Sequence, residues 1–165
     1  MRRREILRRL RAELDKRGIP QLHLYLGQDQ SVLKDSMPWR VNTSSDATAL
    51  LRPFFMPFIH HVEAMYVLLL DRGQKVIGTI EIAKGGVNSV ACDPKVIFGA
   101  VLVSQCSSFI IAHNHPSGQC RPSSEDIAFT SKIMGGARYL DVTMQDHVII
   151  TTDGYYSFAD NGQLI

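Results

Sequence analysis

The order of short apolar runs and helix-start signals along this chain constrains its fold more than any other feature. Two strand-like runs, residues 65–70 and 76–82, flank a polar turn at residues 71–74 and predict a β-hairpin. Asp93-Pro94 then combines an N-cap residue with a proline at the first helical position. This pair predicts a helix that extends to about residue 105.

The second half of the chain continues this alternation. An apolar run at residues 109–112 predicts a buried strand, and Pro122-Ser123 opens a helix that is expected to end at Gly135-Gly136. Further strands are predicted at residues 140–145, 147–151 and 155–158. The order of elements predicts an α/β fold in which a mixed β-sheet is flanked by helices.

Basic residues are concentrated at the N-terminus. Residues 1–18 contain eight Lys or Arg and three acids, so they carry a net charge of +5 while the remaining residues sum to −3. An apolar stripe over residues 2–17 predicts a helix, and residues 1–40 are expected to precede a domain at residues 41–165. This helix either docks on its own domain or a second copy, or is an arm that makes weak contact with nucleic acid or contacts a partner. The body of the protein is not a basic nucleic-acid surface, and the oligomeric state is open.

A short helix is predicted between the N-terminal segment and the hairpin. Ser44-Ser45-Asp46 has N-cap chemistry for a helix that extends through residue 51. Pro53 and Pro57 predict irregular backbone after it.

The composition indicates a globular protein without a membrane segment. Its hydrophobic content of 45% and charged content of 21% are ordinary for such proteins. Apolar runs such as residues 96–103 are too short to span a bilayer, and the N-terminus lacks the apolar core of a secretory signal. Three cysteines, Cys92, Cys106 and Cys120, form no CxxC pair and favour a reducing compartment. A cytoplasmic location is therefore expected.

Two histidines, His113 and His115, follow the predicted buried strand. Side chains at i and i+2 of an extended chain point to the same side, so the imidazoles can converge on one metal ion. Asp126 lies eleven positions after His115, in the first turn of the next predicted helix. Two His and one carboxylate leave a fourth tetrahedral position for water, as a catalytic zinc site requires. Cys120 is close to this motif, but its spacing does not favour metal ligation.

Each of these residues also has an ordinary structural interpretation. His-x-His pairs occur in strands that bind no metal, and Ser123 and Asp126 fit a helix capping box. Capping and site chemistry are compatible, because a hydroxyl offers one donor and two acceptors and a carboxylate has two oxygens. An HExxH sequence is absent, which excludes the zincin arrangement of ligands on one helix.

The complete string from His113 to Asp126 resembles the JAMM motif: His-x-His, seven residues, Ser, two residues, Asp. With it the chain resembles the RadC-like branch of the JAB domain proteins, over about residues 40–160. The other residues that carry the resemblance are GGVN at 85–88, Asp93-Pro94-Lys95, HNHPSG at 113–118, Asp146-His147 and YYSF at 155–158.

The resemblance implies the cytidine-deaminase-like JAB/JAMM architecture and one zinc ion per chain, held by His113, His115 and Asp126. It also implies an upstream glutamate that acts as general base and acid. Glu81, four residues before Gly85, is assigned to that position. Without the resemblance, Glu81 would be interpreted as an exposed carboxylate on a strand.

The activity implied by the resemblance is metallopeptidase hydrolysis of peptide or isopeptide bonds. Zinc polarises the scissile carbonyl and Ser123 donates a hydrogen bond to the oxyanion. His147 is interpreted either as support for a metal ligand or as a structural residue. Asn114 and Ser117 are expected to shape the loop after the strand, and Gly118 to permit its turn.

The competing function is a non-catalytic scaffold in DNA repair that keeps the metal for stability. Such a scaffold would bind nucleic acid or protein through residues 2–17. Retention of Glu81 and Ser123 favours the hydrolase, because a structural metal site needs neither. The chain departs from the family by Lys95, where relatives often have arginine, and by the absence of the paired-glycine DNA-binding hairpins from residues 1–40.

Overall fold

A computed structural model describes residues 24–25, 40–85 and 92–164. The strands are β1 (Leu24–Tyr25), β2 (Ala64–Leu70), β3 (Val76–Lys84), β4 (Ser108–Asn114), β5 (Thr143–Ile150) and β6 (Tyr155–Ser157). The helices are α1 (Ser44–Phe55), α2 (Pro94–Ser104) and α3 (Ser124–Tyr139). The strands form one sheet in the order β1-β3-β2-β4-β5-β6, in which β4 and β5 are parallel and the other pairs antiparallel. The predicted mixed sheet with flanking helices is confirmed.

The sheet separates two hydrophobic cores, so every residue of β2 and β4 is buried. On one face, Leu51 of α1 packs with Tyr66 of β2. On the other face, Ile97 of α2 and Ile133 of α3 pack with Ile111 of β4. Successive residues of a strand point to opposite faces, so this layering decides which polar side chains can meet.

The C-terminal end of β4 lies beside the N-terminal end of β2. The two strands are antiparallel, and Met65 is directly opposite His113. On the other side of β4, His113 is directly opposite Ile149 of β5. Residues just before β2 therefore lie near the end of β4, although they are far from it in sequence.

Helix α1 differs from its prediction at both ends. Thr43 is the N-cap: its side chain accepts a hydrogen bond from Asp46 N–H at 3.1 Å, and the Asp46 carboxylate accepts one from Thr43 N–H at 3.0 Å. The helix then continues through Pro53 to Phe55, so the predicted end at residue 51 is wrong. Proline is tolerated because the carbonyl that would lose its partner belongs to Ala49, at an exposed position.

Residues 143–150 form one strand where two strands were predicted on either side of Asp146. The buried Asp146 carboxylate accepts hydrogen bonds from Ser157 Oγ at 2.7 Å, Ala159 N–H at 2.9 Å and His147 N–H at 2.7 Å. A carboxylate with three donors can stay in the interior of a strand. Two of these three donors come from the segment around β6, so the local sequence does not reveal them.

Helix α3 continues through Gly135-Gly136, so the prediction that this pair ends the helix is wrong. A Cβ atom on Gly136 would lie 2.5 Å from Phe98 Cζ. Gly136 therefore lets α3 approach the Phe98 ring of α2 closely. At Gly135, no atom of the described residues lies within 4 Å of the equivalent Cβ position.

We expect Gly135→Ala and Gly136→Ala to differ in stability. Gly135→Ala should raise the free energy of unfolding by up to about 1 kcal/mol, because alanine favours the helix. Gly136→Ala should be less stable than Gly135→Ala by about 1–3 kcal/mol, since the Phe98 ring must move. Urea unfolding of both variants measures the difference, and equal stability would contradict the close contact.

Some predictions fall outside the described residues. These are the helix over residues 2–17 and most of the GGVN sequence, residues 86–88. The separation of residues 1–40 from the domain stays a prediction. Across the described ranges, no helix is long and apolar enough to cross a membrane.

Candidate metal centre

His113 and His115 lie side by side where β4 ends. His113 is fully buried and His115 is partly exposed. Their Nε2 atoms are 2.9 Å apart. The structure thus brings together the two imidazoles that the i, i+2 spacing predicts to converge.

Asp126 places its carboxylate against both imidazoles. Oδ1 lies 3.1 Å from His113 Nε2, and Oδ2 lies 3.4 Å from His115 Nε2. The same carboxylate caps α3, where Oδ2 accepts hydrogen bonds from Ser123 N–H at 2.8 Å and Ser123 Oγ at 2.7 Å. The cap and the histidine contacts coexist. Oδ1 takes no part in the cap and faces His113, while Oδ2 accepts the hydrogen bonds of the cap and also lies near His115.

The charged Asp126 carboxylate favours a positive charge, either a proton or a cation, beside the two histidine rings. Burial opposes the charged form of Asp126, but its hydrogen bonds to His113 and His115 outweigh burial and hold its pKa well below the usual range. Burial likewise opposes the charged form of His115. The Asp126 carboxylate and the Gln119 carbonyl overcome that effect and raise the pKa of His115. The carboxylate thus creates a negative potential between the two rings.

The donor set fits a metal ion. His115 Nδ1 lies 2.7 Å from the Gln119 carbonyl oxygen, which can only accept, so Nδ1 carries the proton. A neutral His115 ring then presents its bare Nε2 to His113 Nε2 and Asp126. Acceptor atoms this close repel one another unless a proton or a cation lies between them. Imidazole nitrogen and carboxylate oxygen are ligands that zinc accepts, so the cluster is a candidate metal centre.

Glu63, which was not predicted from the sequence, completes the cluster. Its carboxylate and one nitrogen from each of His113 and His115 all lie within 4.8 Å of one another. The Glu63 carbonyl oxygen accepts a hydrogen bond from Gly85 N–H at 3.0 Å, which ties this segment to the end of β3. Burial raises the pKa of Glu63, although the two histidines act in the opposite direction. The Glu63 carboxyl group thus lies beside the candidate ligands His113 and His115, in a position where burial favours its protonated form.

Asn114, between the two histidines, fixes the backbone on both sides of Glu63. Its fully buried amide oxygen accepts a hydrogen bond from Ala64 N–H at 2.9 Å. Its Nδ2 donates to the carbonyl oxygens of Val62 at 2.9 Å and Ile59 at 3.1 Å. The His-x-His sequence therefore supplies two candidate ligands and also positions the carboxylate beside them.

Glu81 does not join this cluster. It is directly opposite Tyr66 on β2, and its carboxylate accepts a hydrogen bond from the Tyr66 hydroxyl. Tyr66 packs in the core beneath α1, whereas Met65, which is opposite His113, packs in the core beneath α2 and α3. Glu81 thus faces the other side of the sheet from His113. This position corrects the assignment of Glu81 to the site.

Comparison with known proteins identifies the family. The chain matches the RadC-like JAB domain over residues 41–163. It belongs to this family. Similar proteins include UPF0758 proteins from Flavobacterium johnsoniae (37% identical over 123 residues, 74% of this chain and 53% of the relative) and Porphyromonas gingivalis (42% over 103 residues, 62% and 45%). Another, from Methanococcoides burtonii, is 31% identical over 140 residues, 84% of this chain and 60% of the relative.

The chain spans about half the length of the curated relatives it matches. Their shared name, UPF0758 protein, states no activity. The family therefore establishes a RadC-like JAB domain, and the cluster of His113, His115, Asp126 and Glu63 is a candidate metal site within it.

Two further predicted residues of this RadC-like JAB domain lie at the cluster. Ser123 is exposed at the N-terminus of α3, where its hydroxyl contacts Asp126. His147 lies on β5 behind His113, with its Nε2 atom 2.8 Å from His113 Nδ1. Complete burial holds the pKa of His147 well below its ordinary value. His147 therefore contacts the candidate ligand His113, and both interpretations drawn from the sequence, support for a ligand and a structural role, stay open.

The loop after the histidines has the predicted turn. Gly118 adopts a φ of 79°, a conformation that other residues rarely adopt. Ser117 Oγ accepts a hydrogen bond from Gln119 N–H at 3.4 Å. The Cys120 thiol lies 3.1 Å from Thr151 Oγ1 and does not belong to the candidate metal-binding group among the described residues.

Proposed function

We propose that this RadC-like JAB domain is a zinc-dependent hydrolase of amide bonds, either peptide or isopeptide. The observation that carries the proposal is the convergence of acceptor atoms from His113, His115 and Asp126, with the Glu63 carboxylate beside them. Three protein ligands leave one tetrahedral position for water, which is the arrangement of catalytic rather than structural zinc. Nitrogen ligands favour zinc over magnesium or calcium.

When bound, zinc supplies Lewis-acid polarisation of the scissile carbonyl and lowers the pKa of water toward neutrality. Glu63 is proposed to take the proton from this water and to deliver it to the leaving amine, the role assigned from the sequence to Glu81. Hydroxide adds to the carbonyl carbon, the carbon–nitrogen bond breaks, and the proton leaves with the amine, so Glu63 ends the cycle unchanged. Burial raises the pKa of Glu63, which makes its carboxylate a stronger base than an exposed glutamate.

Ser123 is proposed to donate a hydrogen bond to the oxyanion. Its hydroxyl now donates to Asp126 Oδ2, which also accepts the hydrogen bond from Ser123 N–H. If the hydroxyl rotated away from Asp126, the carboxylate would still accept the hydrogen bond from Ser123 N–H. The exposure of Ser123 gives a substrate access to the hydroxyl.

A peptide or protein is the substrate class that follows from this chemistry. Contact of residues 2–17 with nucleic acid stays a prediction, as do the scaffold function and the cytoplasmic location. The relatives are about twice as long as the matched segment, so the substrates and partners of a whole protein are a further proposal.

The proposal predicts about one zinc ion per chain in the purified protein, measured by elemental mass spectrometry. His115→Ala should reduce the zinc content to less than about a tenth of that value, because it removes one of three ligands. His60→Ala is the matched control, since the His60 ring lies at the surface 3.4 Å from Thr152 Oγ1. Folded wild-type protein that contains no zinc after zinc supplementation would contradict the proposal.

A further inference from the structure

A chain of hydrogen bonds extends from His113 away from the metal centre. His113 Nδ1 lies 2.8 Å from His147 Nε2, and His147 Nδ1 lies 2.6 Å from Thr130 Oγ1. Thr130 Oγ1 in turn lies 2.6 Å from the Asp126 carbonyl oxygen. His113, His147 and Thr130 are all buried, so water does not compete for these contacts.

The last acceptor in this series of hydrogen bonds, the Asp126 carbonyl oxygen, determines the direction of each bond before it. A carbonyl oxygen can only accept, so the single hydroxyl proton of Thr130 lies between Thr130 Oγ1 and the Asp126 oxygen. Thr130 must then accept the proton of His147 Nδ1. The reverse direction would leave two oxygen atoms 2.6 Å apart with no proton between them, which is strongly repulsive.

The position of the proton on the His147 ring determines which partner donates in the hydrogen bond between His147 and His113. In the described part of the chain, its two nitrogens bond only Thr130 and His113, neither of which is an acid. A fully buried ring without an acidic partner stays neutral, so a protonated Nδ1 leaves Nε2 as an acceptor. The ring cannot easily flip, because it stacks on Phe158 with centroids 4.9 Å apart and planes 9° apart.

We propose that Thr130 and His147 are positioning residues that fix the tautomer of His113, so that its Nε2 lone pair always faces the metal centre. His113 must donate from Nδ1 to His147, which leaves Nε2 bare beside His115 Nε2 and Asp126 Oδ1. The inference rests on the proposed metal centre for its purpose, but the tautomer itself is a property of the metal-free protein. The series of hydrogen bonds ends on the backbone carbonyl of Asp126. The backbone of one candidate ligand therefore sets the tautomer of another, His113.

The tautomer is measured directly by long-range ¹H–¹⁵N correlation spectra of the histidine rings in metal-free protein. We expect the wild-type spectra to show His113 and His147 protonated at Nδ1 and bare at Nε2. Thr130→Val keeps the shape of the side chain but removes the acceptor for His147 Nδ1–H. His147 should then favour protonation at Nε2, and His113 should carry its proton at Nε2. Thr130→Ser keeps the hydroxyl and should restore the wild-type spectrum.

Zinc affinity gives a second measurement, by competition with a chromophoric chelator. Loss of a supporting partner typically weakens metal binding by about 10–100-fold, so Thr130→Val should show a loss in this range. Thr130→Ser should bind zinc as the wild type does, which separates the hydrogen bond from the packing of the side chain.

Three outcomes would overturn the inference. The first is a wild-type spectrum with His113 protonated at Nε2, which needs no variant to fold. The second is a Thr130→Val protein with unchanged tautomers and zinc affinity. The third is a Thr130→Ser protein as impaired as Thr130→Val. If the wild type binds no zinc but shows the expected tautomers, the proposed function fails while the tautomer control stands.

Discussion

Glu63→Gln is expected to slow amide hydrolysis by about 10²–10⁴-fold, the usual contribution of a general acid–base residue. Glutamine has nearly the same shape as glutamate but cannot accept the proton of the attacking water. Three candidate zinc ligands remain, so the variant should keep its zinc. Hydrolysis is measured by mass spectrometry on a library of linear and isopeptide-linked peptides, beside the zinc content of the same sample.

Glu81→Gln is the matched control for this prediction. Glu81 is exposed and faces the opposite side of the sheet, so its replacement should leave the rate of hydrolysis unchanged. A slow Glu81→Gln protein together with a normal Glu63→Gln protein would restore the original assignment from the sequence. Normal rates in both variants would remove both carboxylates from the mechanism.

Asn114→Ala is expected to lower the free energy of unfolding by about 2–5 kcal/mol. The substitution removes three hydrogen bonds and leaves Ala64 N–H and the carbonyl oxygens of Ile59 and Val62 without this partner. An unsatisfied buried polar group costs about 1–3 kcal/mol. Urea unfolding measures the loss.

Asn42→Ala is the control for Asn114→Ala, because Asn42 is exposed. Its effect should stay within about 0.5 kcal/mol, as is usual for surface positions. Asn114→Asp gives a second test, since it keeps an acceptor for Ala64 N–H but loses both donated hydrogen bonds. If Asn114→Ala is as stable as Asn42→Ala, the amide does not hold the Glu63 segment in place.

The elements that could be predicted from the sequence are those with local causes. The apolar run at 65–70 lies within β2, and Asp93-Pro94 starts α2 as its capping chemistry indicates. The capping box of Ser123 and Asp126 is also present. In each case, neighbouring residues determine the backbone, so a short stretch of sequence is enough.

The errors arose where distant residues decide the outcome. Irregular backbone was expected at Pro53 and a helix end at Gly135-Gly136, but both positions lie inside helices. The carbonyl that loses its partner to Pro53 belongs to an exposed residue, and Gly136 lies within α3 where a side chain would meet the Phe98 ring. Asp146 was expected to separate two strands, but donors that follow β5 in sequence satisfy its carboxylate. None of these partners can be inferred from local periodicity.

The choice between Glu63 and Glu81 depends on strand pairing. Glu63 directly precedes the apolar run of β2, and β2 runs antiparallel to β4, so its start meets the end that bears the histidines. The sequence signal for Glu63 was an acidic residue directly before a buried strand. This signal identifies Glu63 as the carboxylate near the histidines only once β2 is known to be the neighbour of β4. Glu81 was selected by its distance from Gly85, which does not indicate the face of the sheet.

The most direct test of the metal centre is anomalous diffraction at the zinc absorption edge, from crystals of the protein purified with zinc. We expect one strong peak bounded by His113 Nε2, His115 Nε2 and the Asp126 carboxylate, with the Glu63 carboxylate beside it and outside the first ligand positions. A well-ordered structure with no zinc peak at this point, or with zinc bound only elsewhere, would contradict the proposed metal centre.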